Sequence, residues 1–92
     1  MIKIIKCKLN ETGLPQHFKL PKSCKLLDCQ NQRGDIVFWV EIDQCEDKKE
    51  EHAFYVVPTG SDFVKPPGAE YFKTVQVNLF VWHIYHKIHG EI

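Results

Sequence analysis

Neither sign of charge is in excess in this chain: twelve Lys and Arg residues balance twelve Asp and Glu. A protein that binds nucleic acid draws most of its affinity from neutralising phosphates and shows a basic surplus. A mimic of nucleic acid carries the acidic counterpart. The balance argues against both, so nucleic acid is not an expected partner. Long apolar runs are missing as well. From Met1 to Leu9 no more than two apolar residues stand together before a lysine intervenes. That is too broken for a signal-peptide core or a membrane span, and no membrane association is expected.

The usual signatures of catalysis are absent too. No glycine-framed nucleophile elbow, HExxH, Walker loop or GxGxxG occurs. Half of the carboxylates gather in the polar stretch 41–51, a solvated setting expected to leave their acidity ordinary. The expectation is a protein that is not an enzyme and holds no cofactor. The cysteines Cys7, Cys24, Cys29 and Cys45 include no CxxC knuckle, which removes the strongest zinc signature. Cys24 and Cys29 stand at an odd offset that would turn them to opposite faces of a strand. Without export they stay reduced in a cytoplasm and serve as small buried hydrophobes or idle thiols. His83, His86 and His89 invite a metal reading through their spacing of three. In a strand that spacing alternates faces, and His83 and His89 would share a side roughly 20 Å apart. No metal site is expected.

What the chain does have is strand periodicity. Its 92 residues make one domain, and 43 % apolar and 12 % aromatic content is ample for a folded core. A domain of this size buries only about 60–65 % of its unfolded surface, so self-association would reinforce it and a homo-oligomer is allowed for. Residues 2–9 read as a lysine-interleaved edge strand, and 10–13 as a turn. Residues 14–21, bracketed by prolines, read as extended chain. Residues 23–30 make a second strand, with a hairpin loop at 31–34. The clearest strand is 36–42, with Ile36, Phe38, Val40 and Ile42 on one face and Val37, Trp39 and Glu41 on the other. Residues 43–51 read as a solvated loop, 53–57 as a strand, and 59–70 as the longest irregular stretch. Residues 71–77 and 79–88 form a final hairpin turning near Asn78. The only stretch suited to a helix, 45–52, is charged all round. The expected fold is mainly β: a single small antiparallel sheet of about six strands in meander order, curled into a barrel or sandwich, with little or no helix.

Aromatic residues occupy every central strand. Neighbours such as Phe38 and Trp39, or Phe54 and Tyr55, must point apart, so each strand offers aromatics to both faces. A sheet this small buries one face well. The second set either lies exposed as a partner surface or is covered by a loop. Trp39 and Tyr55 are candidate anchors for a protein partner. Thr59, Gly60 and Ser61 form a rim of hydroxyls and backbone N–H groups suited to a polar or anionic ligand, and equally an ordinary turn.

The order of several segments carries a resemblance. They are Pro21 to Leu27, Phe38 to Asp43, Phe54 to Gly60, Tyr71 to Gln76, and Phe80 to Ile84. The chain from Leu20 to His83 resembles a family of small uncharacterised bacteriophage and prophage proteins. Their pattern runs PKGAKIL, a tryptophan strand ending in Val-Asp, GTGH, YIGT and a closing FVWH strand. The family's GTGH reads Pro58-Thr-Gly-Ser61 here, so no role for its histidine transfers. The matched positions that could share a site are Trp39, Thr59, Gly60, Tyr71, Thr74, Gln76, Trp82 and His83. The resemblance implies origin and fold rather than activity. By analogy with small phage proteins, it implies a non-enzymatic binding protein in the cytoplasm of a bacterial host. Such a protein would antagonise a host process, antiviral defence first among them. It would block a bacterial host protein or sequester a small nucleotide ligand, with Trp39, Tyr55, Thr59, Gly60, Ser61, Tyr71, Trp82 and His83 at the binding surface. The alternative is a structural or assembly accessory of the virion.

Overall fold

Seven strands and no helix make up the chain in the computed structural model, which describes residues Met1–Ile92. They are β1 (Ile2–Leu9), β2 (Gln16–Pro21), β3 (Lys25–Gln32), β4 (Asp35–Asp43), β5 (Lys49–Pro58), β6 (Glu70–Val77) and β7 (Phe80–Glu91). They form two antiparallel sheets, one ordered β1-β4-β3 and the other β2-β5-β7-β6. No helix is long and apolar enough to cross a membrane.

The mainly β, sandwich-like expectation holds, with two sheets in place of one and seven strands in place of about six. The extra strand is β2. Its prolines keep it extended, as the sequence implies, and it lies at a sheet edge, where Pro21 need not donate to a ladder. Its pairing also draws in Lys49 to Glu51, which the sequence assigns to a loop: Pro21 lies opposite Lys49 and Lys19 opposite Glu51. Meander order is corrected as well. Only β3–β4 and β6–β7 are simple hairpins, whereas β1 crosses to pair with β4 and β2 with β5. The β3–β4 turn is a two-residue one, with Arg33 (φ 53°) and Gly34 (φ 91°) both left-handed. That conformation matches the twist of the flanking strands.

The core forms where the two inner faces meet. Leu9, Cys29, Ile36, Phe38 and Val40 come from the three-stranded sheet, and Leu20, Phe54, Val56, Val75, Val77 and Ile84 from the four-stranded one. At its centre the rings of Phe38 and Phe54 stack at 4.4 Å, and Phe18 meets both edge-on. These offset and edge-to-face arrangements suit the ring quadrupoles. The alternation read from the sequence is correct at both pairs: Phe38 and Phe54 are fully buried, while Trp39 and Tyr55 are half-buried on the outer faces. It fails at the cysteines. A bulge at Leu27 resets the register of β3, so Cys24 and Cys29 both pack against the core. Across the sandwich Lys73 reaches Asp28 at 2.9 Å. That bond, with those from Gln30 and the Cys29 backbone, holds the Asp28 carboxyl down at about 2.

Candidate functional site

The outer face of the four-stranded sheet gathers most of the residues singled out from sequence. Three tyrosines lie in register across it, Tyr55 on β5, Tyr85 on β7 and Tyr71 on β6. Phe63, from the loop after β5, packs on Tyr55 at 5.9 Å and on Tyr85 at 5.0 Å. The loop therefore covers two of the tyrosines and leaves Tyr71 56 % exposed. Both readings of the outer aromatics are realised, each on a different part of the face.

Next to the tyrosines runs a polar chain. Tyr71 OH lies 2.7 Å from Thr74 Oγ1, which lies 3.1 Å from His83 Nδ1. His83 Nε2 lies 2.7 Å from Thr59 Oγ1, which in turn donates to the Val81 carbonyl at 3.3 Å. One arrangement of hydrogens satisfies all of these bonds. Tyr71 donates to Thr74, Thr74 donates to Nδ1, and the Nε2–H donates to Thr59. Both ring nitrogens of His83 are thereby engaged, and the chain fixes the ring rather than freeing it for proton transfer. Gly60 supplies the left-handed residue of the turn after β5 (φ 90°), which Ser61 closes by donating its N–H to the Pro58 carbonyl.

A cavity of about 310 Å³ opens beside this face, at the edge of β5. Its apolar wall is Tyr55, Val56, Val57, Pro58, Phe63 and Trp82, and its polar wall is Glu11, Thr12, Gly13, Ser61 and Asp62. Residues 11–13 belong to the loop before β2. Its base is pinned by Gln16, whose side chain accepts from the Asn10 N–H at 2.6 Å and donates to the Asn10 carbonyl at 2.7 Å. Trp82 packs against the core, and its Nε1–H is buried without a hydrogen-bond partner. Such a group costs free energy until an acceptor reaches it.

Of the residues expected at a binding surface, the structure brings Tyr55, Ser61 and Trp82 to the cavity. Thr59, Tyr71 and His83 join in the adjoining chain, with Gly60 in the turn between. Trp39 is set apart. It lies on the outer face of the other sheet, opposite Lys6 and Asp28. Sequence reasoning missed Glu11, Thr12 and Gly13, which look like any turn, and Phe63, whose only signal is an aromatic inside a polar loop.

A second cluster went unread. His52 and His86 stack at 5.0 Å with Nδ1 of the first 2.7 Å from Nε2 of the second, and Cys24 Sγ lies 3.7 Å from His52 Nε2. Burial pushes both imidazoles down, His86 to about 4. Burial also raises the Cys7 and Cys24 thiols and takes Cys29 up to about 12, which leaves these thiols poor nucleophiles. The histidines spaced by three part company as strand alternation requires. His83 joins the outer polar chain, His86 meets His52, and His89 lies against His17 at 5.7 Å. No group of three or more His, Cys, Asp or Glu side chains is placed to hold a metal ion.

Comparison with curated proteins and with solved structures gives no match. A family model described as a domain of unknown function, DUF7352, matches residues 1–91, and the chain belongs to that family.

Proposed function

We propose that this chain is a non-enzymatic binding protein whose partner is another protein, held at the cavity on the β5 edge and the aromatic face beside it. The observation that carries this reading is the cavity itself. Aromatic walls from Tyr55, Phe63 and Trp82 converge there with the polar side chains of Glu11, Thr12, Ser61 and Asp62. Concave sites of this composition, apolar with a few polar groups, take small ligands or the anchoring side chains of a protein partner. Nucleotide sequestration draws less support. The charged residues lining the cavity are Glu11 and Asp62, and neither Lys nor Arg lines it to meet a phosphate. On the bacteriophage resemblance, the partner is a bacterial host protein, and occupying it antagonises a host process such as antiviral defence in the host cytoplasm.

Affinity purification from bacterial cells, followed by native mass spectrometry, tests the reading. Gly13→Trp serves as the control because the backbone at Gly13 is not left-handed and a Cβ there meets no atom within 4 Å. It fills the mouth of the cavity without disturbing the sheets. The expected result is a stoichiometric complex with one protein that Gly13→Trp abolishes. An oligomer carrying a few hundred daltons of extra mass would put the nucleotide reading first, and a bare monomer would overturn both.

A second reading rests on its own observation. On β1, an edge of the three-stranded sheet, Ile2 and Ile4 are 59 % and 57 % exposed. A free edge with exposed apolar side chains among its lysines offers a place for another copy to pair, as a virion accessory would. Concentration-dependent assembly of the purified protein, without any host partner, would favour it.

A further inference from the structure

We infer that β1 is a self-complementary edge through which two copies of this chain pair antiparallel, Ile4 of one opposite Lys6 of the other. The pairing joins their three-stranded sheets into one continuous sheet. It rests on the second reading above and fixes its register and its end point. Two packed sheets have four edge strands, and three of these are closed or guarded. β3 and β6 are tied to each other: Asn31 donates its side-chain N–H to the Gln76 carbonyl at 3.0 Å, and Lys73 reaches Asp28 at 2.9 Å. Each of the two also carries a bulge. β2 is short, begins just after Pro15 and ends on Pro21. Covered flanks, bulges and prolines are the usual protections of an edge. β1 has none of them along eight residues that pair with β4 without a shift.

Its guards are Lys3, Lys6 and Lys8, and two of them are turned away. Ile2, Ile4, Lys6 and Lys8 share the outer face. From there Lys6 Nζ donates to Gln32 Oε1 on β3 at 2.7 Å, and Lys8 Nζ lies 3.4 Å from Asp35 on β4. The stems run toward β4 and β3, and Val37, which sits on that face, is only 4 % exposed. What stays at the edge is the pair of exposed isoleucines.

The main-chain groups that stand free follow from one bond. The Gln44 N–H donates to the Met1 carbonyl at 2.9 Å, and Ile2 lies opposite Asp43. In an antiparallel ladder, the residues turned toward one neighbour alternate. Odd-numbered residues of β1 therefore address β4, while Ile2, Ile4, Lys6 and Lys8 turn their N–H and C=O to the open side. All four residues are exposed.

A second β1 matches them. With Ile4 opposite Lys6, Ile2 falls opposite Lys8, so every free N–H meets a carbonyl and every carbonyl an N–H. Each outer lysine stem lies against an isoleucine, Lys3 lies opposite Cys7, and no lysine directly faces a lysine. Sliding the pair by one step of the ladder either sets Lys6 against Lys6 or carries Lys8 past the end of the strand. An acidic strand of another protein would need lysine amines at the edge, and those of Lys6 and Lys8 are held elsewhere. Each copy uses its one open edge, so assembly stops at two.

Sedimentation of the full chain tests this, taken up to about 1 mM because one strand pair is a small interface. A monomer–dimer equilibrium with no larger species is expected. The Ile4 and Lys6 amides should exchange fast in dilute solution and slow down with concentration, while those of Ile5 and Cys7 stay protected throughout. In a mixture of isotope-labelled and unlabelled chains, an interchain NOE between the Lys3 and Cys7 Hα protons marks the register. Ile4→Lys sets like charges opposite each other twice in the dimer and should weaken it about tenfold. Ile4→Pro removes an N–H that β4 does not use and should also weaken the dimer, with the circular dichroism of the fold retained. Association that both variants leave unchanged would overturn the edge, and a dimer without that NOE would overturn the register. Species larger than the dimer would overturn the closure and leave the second reading standing. A chain that stays monomeric at every concentration would overturn both.

Discussion

His52 and His86 face each other ring to ring within the four-stranded sheet, Nδ1 of the first 2.7 Å from Nε2 of the second. A bond that short between two imidazoles needs one donor and one acceptor, so at least one ring must be neutral. Burial lowers both pKa values below the ordinary 6.5, and the neighbouring His52 lowers that of His86 further, to about 4.

That pair makes stability depend on acid. The folded-state values lie below those of the unfolded chain, so on acidification the unfolded state takes up protons first. The stabilisation is fully present above about pH 6.5 and is lost as pH falls toward about 4. His86 is only partly buried, so after discounting for solvent screening the loss is on the order of 1–2 kcal/mol. Melting temperature followed by circular dichroism between pH 7 and pH 4 should decline over that window. The decline should flatten in His86→Phe, and an unchanged slope in that variant would remove the pair as its source.

Phe38 and Trp39 are adjacent in sequence and opposite in consequence. Phe38 is fully buried and stacked on Phe54, whereas Trp39 is half-buried on the outer face of the same three-stranded sheet. Phe38→Ala should cost about 3–5 kcal/mol, close to the whole stability of a small domain. Trp39→Ala should leave the protein folded and cost about 1 kcal/mol. Urea denaturation of the two variants reads the contrast, and equal losses would contradict the assigned faces.

The thiols should separate in the same way. Cys29 is fully buried with its thiol pKa pushed up to about 12, and Cys45 is exposed. Alkylation under native conditions should modify Cys45 and spare Cys29 until denaturant is added. Cys29→Ser should cost about 1–3 kcal/mol by burying a hydroxyl among apolar neighbours, and Cys45→Ser should cost nothing measurable. Rapid native labelling of Cys29 would show that the core opens there.

Strand content and the facing of Phe38, Trp39, Phe54 and Tyr55 were legible because alternation is a local property. The strand order was not, because pairing β1 with β4 depends on contacts distant in sequence. Nor were the bulges at Leu27, Phe72 and His89, single residues that reset parity without a compositional mark. The candidate site was half visible. Tyr55, Ser61, Trp82, Thr59, Tyr71 and His83 stood out by type, but the cavity needs the loop at Glu11 to Gly13, which only the fold brings to β5. The His52–His86 contact was hidden for the same reason, since it depends on which residues of β5 and β7 meet across the ladder.

The crossing of strands between sheets also orders events in time. The β3–β4 and β6–β7 hairpins close over two-residue turns, whereas Ile2 must find Asp43 and Gln16 must find Phe54. Closing such long loops costs entropy before any contact rewards it, and domains built this way fold in about milliseconds to seconds. The hairpins are therefore early structure, and the N-terminal strand is among the last to be secured. Until it docks, the edge of β4 that it covers stands open to any passing strand. In stopped-flow refolding, a destabilising substitution in β1 should accelerate unfolding and leave the folding rate nearly unchanged.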